Sequence, residues 1–156
     1  MKNKNTVLFI LICIIISAGC ASGPKYVPVD NANPGKAILY IYRPAHFGAA
    51  ANSPKVEIDG KQWFYLPNGG YTWFELESGD HVIKFSFGYD QSKSFKASAG
   101  RSYFLRWLPF VSATNLTPAG PYIAFDGNAV IFNERDALNE IRECRRIDPS
   151  YIMTRD

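Results

Sequence analysis

Histidine and cysteine are scarce in this chain. Two histidines, His46 and His81, and three cysteines, Cys13, Cys20 and Cys144, are spread over 156 residues. No Cys/His pair stands at metal-ligand spacing and no His-Glu-x-x-His occurs, so neither a structural nor a catalytic zinc pattern is present, and no metal or other cofactor is implied. The Gly-x-Ser-x-Gly nucleophile elbow, the phosphate-binding Gly-rich loop and the dinucleotide fingerprint are missing as well. No apolar run approaches the roughly twenty residues that a membrane-spanning helix needs. The formal net charge is only +3, which leaves no electrostatic footprint for nucleic acid.

The N-terminus has a different character. Lys2 and Lys4 precede an unbroken apolar run, Val7 to Ile16, and then come Ser17, Ala18, Gly19 and Cys20. A short positive region, an apolar stretch of about ten residues and small residues at its end make a signal peptide. Small side chains let a membrane-embedded peptidase reach extended backbone, and a cysteine at the cut offers a thiol for a diacylglyceryl thioether. The segment resembles the lipobox of bacterial lipoproteins, with Ser17 where Leu is usual. The expectation is a signal peptide over 1–19 and lipidation at Cys20, with acyl chains such as palmitate; two or more chains give a stable membrane anchor where one is marginal. The alternative is an ordinary secretory signal cut near Ala18 that leaves Cys20 free. Ala21 and Ser22 follow the cysteine, with no Asp there. In Gram-negative lipoproteins such a start implies onward transport, so the expected location is the cell envelope, lipid-anchored in the outer membrane and facing the periplasm.

Removal of that segment takes away Lys2, Lys4 and Cys13. Of 17 basic residues, fifteen remain against 14 acidic ones, a net charge of +1. With Cys20 carrying lipid, Cys144 stands alone and no intramolecular disulfide framework is available. Residues 20–35 hold Gly23, Pro24, Pro28, Pro34 and Gly35 without sustained periodicity and read as a lipidated tether. The remainder is long enough for one core.

From Lys36 onward, turn signals recur about every ten residues: Asp59-Gly60, Asn68-Gly69-Gly70, Ser78-Gly79-Asp80, Gly88-Tyr89-Asp90 and Ala99-Gly100. Between them lie short β-branched and aromatic runs, the signature of an antiparallel sandwich or barrel. Asp59-Gly60 is the strongest hairpin signal, because glycine accepts the positive φ of a tight primed turn. His81, Ile83, Phe85 and Phe87 alternate with Val82, Lys84 and Ser86, a half-buried strand. Ala37 to Tyr42 is apolar on both faces and is expected to be central and covered on both sides. Leu116 to Pro121 reads as a Pro/Gly loop, and Tyr122–Phe125 and Ala129–Phe132 as short strands around an Asp126-Gly127 turn. The period then changes. Asn133 is an N-cap, Glu134 and Asp136 suit the first turn, and Ala137, Leu138, Ile141 and Cys144 form a helical stripe. Arg142, Arg145 and Arg146 sit late in this helix, which Asp148-Pro149 ends. The expected fold is mainly β, an antiparallel β-sandwich over 36–147 with one C-terminal α-helix, followed by a tail over 148–156.

Within that stretch Lys36-Ala37-Ile38-Leu39-Tyr40-Ile41-Tyr42-Arg43-Pro44, Val56-Glu57-Ile58-Asp59-Gly60-Lys61, Leu66-Pro67-Asn68-Gly69-Gly70-Tyr71 and Ser78-Gly79-Asp80-His81 follow in order. This order resembles a bacterial lipoprotein family known as domain of unknown function 2846, over Lys36 to about Phe87. The Asp-Gly-Lys part is also similar to surface modules of the transthyretin-like β-sandwich type. Ser78 stands where the family usually has Pro, a departure that touches turn stiffness. The resemblance implies the fold and export, and no activity.

The candidate site residues are few. His81 opens an apolar strand face as a structural edge residue, and His46 lies in the small-residue loop Pro44 to Pro54. Cys144 reads as a small buried hydrophobe or, more sharply, as a thiol that pairs with another chain. Arg43 ends a buried strand, to neutralise a carboxylate, stack on an aromatic or hold a ligand anion. Trp63, Phe64 and Tyr65 are consecutive and cannot all face inward; the same holds for Trp73 and Phe74. Coverage by the helix and the long loop is expected for most of these rings, and an exposed strip would mark a partner surface. The possible binding residues are therefore Trp63, Tyr65, Trp73 and Arg43, with no catalytic or metal residue assigned. The resulting expectation is a non-catalytic envelope lipoprotein whose partners are the membrane, through its N-terminal lipid, and an envelope protein or glycan. The rival is a hydrolase of envelope polymers, which would cluster a histidine with carboxylates in a cleft.

Overall fold

Alternating apolar strands that each bury one face leave two sheets facing each other across one core. The computed structural model describes residues 21–30, 33–47, 53–117, 120–149 and 152–154. Its strands are β1 (Ala37–Tyr42), β2 (Lys55–Ile58), β3 (Gln62–Tyr65), β4 (Gly70–Leu76), β5 (Gly79–Phe87), β6 (Tyr89–Ala97), β7 (Ser102–Thr117), β8 (Gly120–Phe132), β9 (Arg145–Arg146) and β10 (Met153–Thr154). The helix α1 spans Glu134–Ile141. One sheet runs β8-β7-β1-β4-β9 and the other β10-β3-β2-β5-β6. Among the described residues the domain is a mainly β sandwich with a single helix near the C-terminus, as the sequence pattern predicts. Two pairings depart from it: β1 runs parallel to β7, and β4 parallel to β9. Neither pair is joined by a hairpin, so no turn forces it to be antiparallel.

Every residue of β1 is buried. Ala37, Leu39 and Ile41 join Val56, Ile58, Phe64, Phe74, Ile83 and Phe85 in the core between the sheets. Ile38, Tyr40 and Tyr42 meet Ala137, Ile141 and Cys144 of the helical segment on the outer face. The helix is fixed there by apolar packing and by one carboxylate. Glu140 accepts from the Tyr42 hydroxyl (3.1 Å) and from Arg106 Nη1 (2.7 Å). Its N-cap is Asn133, whose side chain accepts from the Asp136 amide at 3.0 Å. In the β2–β3 hairpin, Asp59 and Gly60 both adopt positive φ, at 51° and 68°, and the Lys61 amide donates to the Ile58 carbonyl at 2.9 Å.

Three local expectations need correction. Asp126-Gly127 is not a turn: both residues lie inside β8, paired with Phe110 and Pro109. The glycine is there for space, since a Cβ at Gly127 would overlap the indole of Trp107. Leu116–Thr117 and Gly120–Pro121 are ends of paired strands, so β7 and β8 make one long hairpin. The helix also stops early. After Ile141 the Cys144 amide closes the last turn on the Ile141 carbonyl, and the Arg145 and Ile147 amides then donate to Gly69 and Tyr71 carbonyls at 2.8 Å each. Open hydrogen-bonding groups on the β4 edge draw Arg145–Arg146 into a strand.

Both flanking segments meet the domain. From Ala21 to Asp30 the chain runs along β9 and the outer aromatic face. The Arg146 amide donates to the Pro24 carbonyl (2.8 Å), and the Tyr26 amide to the Cys144 carbonyl (3.2 Å). The ring of Tyr26 packs edge-on against Tyr40 and Tyr71, at 5.6 and 5.4 Å. At the other end Met153–Thr154 adds β10 to the edge of β3.

Candidate functional site

Strand β3 decides what the aromatic run does. Its alternation sends Phe64 into the core and leaves Trp63 and Tyr65 on the outer face of the second sheet, Trp63 half-buried and Tyr65 54% exposed. Their rings meet edge to face at 6.0 Å, and the Lys55 ammonium lies 4.7 Å from the Trp63 ring centre. The helix does not cover this pair, because it packs on the other sheet. Trp73 behaves differently. It is half-buried on the helix-bearing face, beside Tyr26 and Val29 of the N-terminal segment, with the Arg146 guanidinium 5.6 Å from its ring.

A groove of about 630 Å³ opens between the two flanking segments. Tyr65 and Pro67 form one wall, Pro149 and Met153 another, with Ala21 and Arg146 also lining it. A smaller depression of about 280 Å³ lies beyond, against Trp73, Tyr71 and Val27. Arg146 reaches both. Sequence reasoning missed this residue because it placed Arg146 on the helix; only its capture by the β4 edge turns it toward the grooves.

Arg43 is wholly buried. Its Nη1 donates to the Leu66 carbonyl at 3.3 Å, and its guanidinium lies 5.0 Å from the ring centre of Trp107. It stacks on an aromatic inside the fold and presents nothing to the groove. Cys144 is buried too, with Sγ 3.6 Å from the Arg43 carbonyl and 3.7 Å from that of Glu140. Burial pushes its thiol up to about 12, with the Glu140 and Glu143 charges adding to the shift, so it is protonated and inert at neutral pH.

Neither histidine lines the groove. His81 Nδ1 is 2.7 Å from Asp59 Oδ2 and its Nε2 is 2.9 Å from the Glu77 carbonyl. The other Asp59 oxygen accepts the Val82 amide at 2.8 Å. Nδ1 thus clamps the β2–β3 turn onto β5, and Nε2 ties the ring to the β4–β5 turn, at the end of the sandwich opposite Tyr65. Burial works against the charged imidazole, but the Asp59 and Glu77 hydrogen bonds and the Asp59 and Asp80 charges outweigh it and raise its pKa. His46 is exposed, and its backbone amide donates to Asn68 Oδ1 at 2.8 Å. Among the described residues no group of three or more His, Cys, Asp or Glu is placed to hold a metal ion.

Cys20 and the signal segment lie outside the described residues. The residue after Cys20 is placed, however: the Ala21 amide donates to the Asn68 carbonyl at 3.1 Å. Ala21 thus lines the groove and sits at the end of the sandwich where β1 and β3 finish.

The model of a family described as "Protein of unknown function (DUF2846)" matches residues 33–121. That match covers β1 to the start of β8. The helix, β9, β10 and the N-terminal segment that frame the groove fall outside it. In the comparison with curated proteins nothing matches the chain.

Proposed function

The chain belongs to the DUF2846 family of unknown function, and we propose that it acts as a lipid-anchored, non-catalytic envelope lipoprotein whose β-sandwich binds a partner protein or a wall or surface glycan. The observation that carries this reading is the order Ser17-Ala18-Gly19-Cys20 behind an apolar run, together with a domain that engages the chain at Ala21, one residue past that cysteine. Ala21 and Ser22 favour the outer membrane, with the domain facing the periplasm. The binding element is the outer aromatic pair Trp63–Tyr65 and the groove beside it. Aromatic rings bury much area for few rotatable bonds and stack on sugar faces, and Arg146 adds a planar donor for carboxylates or amides. The hydrolase reading loses support because the His81–Asp59 pair has both imidazole nitrogens occupied and lies at the far end of the sandwich.

Intact-mass measurement and membrane fractionation test the anchor: acyl mass on a chain that begins at Cys20, in the outer-membrane fraction, is expected. A water-soluble product with another N-terminus would refute it. Capture from membranes after mild crosslinking tests the binding face. Tyr65→Ala should keep its melting temperature and weaken capture at least tenfold, the effect of about 1.4 kcal/mol. Trp63→Ala should weaken capture too, with a moderate loss of stability, since its ring is half-buried. Undiminished capture by both variants would move the binding face elsewhere.

A further inference from the structure

The long hairpin formed by β7 and β8 outruns the sandwich. Strand β1 runs parallel to β7, and their pairing ends at Tyr42 and Arg106. From Leu108 to Thr117 the register of β7 continues with β8 alone, back to Asn128. Ten residues at about 3.4 Å each make an arm of roughly 34 Å. At its root Trp107 is held between Gly127, Phe87 and Arg43, which sets the direction in which the arm leaves.

Its composition stands out against the rest of the chain. No Asp, Glu, Lys or Arg occurs from Leu108 to Phe125, although 20% of the chain is charged. The register pairs Val111 with Phe125, Thr114 with Ile123 and Leu116 with Pro121, alternating with Ala113–Ala124 and Asn115–Tyr122. At the root Leu108 is half-buried and Pro109 buried; beyond them the described side chains, Phe110 and Val111, are about half exposed, at 47% and 53%. A two-stranded ribbon with apolar residues and no further strand paired to it among the described residues is marginal in water.

The arm leaves at the end of the sandwich where Ala21 sits. The Arg43 amide bonds to Gly70 at the start of β4, and Asn68 just before it holds Ala21. Strand β1 alone separates β7 from β4, so the arm's root is about two strand spacings, roughly 10 Å, from β4. Phe47, 93% exposed, belongs to the same end, one residue beyond the His46–Asn68 bond.

We propose that the β7–β8 arm is a second membrane contact, lying in the lipid interface beside the acylated N-terminus. The proposal rests on the lipid-anchor reading for the nearness of the bilayer and on the arm's own composition for its affinity. An open ribbon cannot cross hydrocarbon, because its edge amides and carbonyls would be unsatisfied. At headgroup depth water and lipid satisfy those edges, while aromatic and aliphatic residues reach the acyl boundary, as interfacial aromatics do. The lipid and the arm together hold this end of the sandwich against the membrane and leave the His81 end pointing away.

The test uses the full lipoprotein in vesicles of phosphatidylethanolamine and phosphatidylglycerol, with an environment-sensitive fluorophore on Ala113→Cys or on Val82→Cys at the opposite end. Cys144 is buried and stays unlabelled, and acylated Cys20 is blocked. Lipid-borne nitroxide should quench the label at 113 at least twofold and leave the label at 82 as in water. Phe110→Asp with Val111→Asp, both at exposed positions, should at least halve that quenching without lowering the melting temperature. Equal, weak quenching at 113 and 82 in protein whose intact mass shows the acyl chains would overturn the proposal. Efficient crosslinking of Ala113→Cys chains to one another, without quenching, would overturn it in favour of a second copy. Quenching at 113 in a chain whose mass shows no acyl groups would refute the anchor and support the arm's lipid contact on its own.

Discussion

Gly127→Ala reverses an ordinary expectation. In a strand, alanine is worth about 0.5–1 kcal/mol more than glycine, through the backbone freedom that glycine loses. At position 127 the added Cβ would overlap Cε2, Cζ2 and Nε1 of Trp107. That indole cannot step aside: it is 1% exposed, Phe87 meets it edge to face at 5.1 Å, and the buried Arg43 guanidinium lies 5.0 Å from its centre. Overpacking a rigid core costs about 1–3 kcal/mol, and two backbones plus an immobile ring put this site at the upper end. Set against the gain from alanine, a net loss of about 2 kcal/mol in a domain of this size lowers the melting temperature by about 8 °C. Thermal unfolding followed by near-ultraviolet circular dichroism reads it directly. In a Trp107→Leu background the same Gly127→Ala change should cost under about 1 kcal/mol, because the clashing ring is gone and the two sites are coupled. An unchanged or raised melting temperature for Gly127→Ala in the wild-type background would refute the packing of Trp107 on β8.

Glu140→Ala removes the acceptor shared by Tyr42 and Arg106 and should destabilise by about 1–2 kcal/mol, the scale of a charged, partly exposed hydrogen-bonded pair, with faster amide exchange at Ile141. The pH dependence of stability carries the sign of His81. Its folded pKa is raised above the ordinary value of 6.5, so its contribution is complete below about pH 6.5 and fades as pH rises through the folded value. The melting temperature of the wild type relative to His81→Gln should therefore fall as pH rises above about 6.5, and a constant difference on both sides of that pH would contradict the Asp59 clamp.

Much of this arrangement was legible in the sequence where one residue type had one physical use. Six apolar residues in a row at β1 meant burial on both faces, and the two faces now serve two separate cores. Asp59-Gly60 read as a primed turn because few sequences tolerate two positive φ angles. Asn133 read as a cap because acidic first-turn residues and then an apolar stripe at helical spacing follow it. What failed to show were residues with two possible uses. Gly127 reads as a turn beside Asp126, yet glycine also serves where another group approaches closely, and nothing local says that Trp107 will. Arg145 and Arg146 suit a helix end as well as an edge strand, and the free edge of β4 decided between them. That decision also built the groove, so Arg146 went unnoticed. The stretch from Ala21 lacks periodicity because neither a helix nor a sheet face orders it. Backbone bonds to β9 and three tyrosine rings do.

That docked stretch converts a question about anchoring into one about orientation, and Gly23→Val separates the two. A Cβ at Gly23 would strike the backbone carbonyl of Arg146. The carbonyl cannot yield, because the Arg146 amide is itself bonded to Pro24 and Arg145 Nη1 to the Gly23 carbonyl. The segment must lift. Lost with it are the Tyr26–Cys144 and Ala21–Asn68 backbone bonds and the edge contacts of Tyr26 with Tyr40 and Tyr71. Each of those bonds or ring pairs is worth about 0.5–1.5 kcal/mol, and the backbone entropy regained by the freed segment opposes their loss. The global melting temperature should therefore move by only a few degrees. The local signature should be large: the Tyr26 and Arg146 amides should lose their exchange protection by tenfold or more while β1 amides keep theirs. On the proposed anchoring the released chain behaves as a coil of about fifteen residues, roughly 20 Å between its ends, and the β7–β8 arm is left as the one fixed contact between the domain and the bilayer. The fluorophore at position 113 would report the weakened hold as a partial fall in nitroxide quenching. Unaltered protection at Tyr26 in Gly23→Val would show that the segment is not held by β9, and the fixed orientation of the domain would go with it.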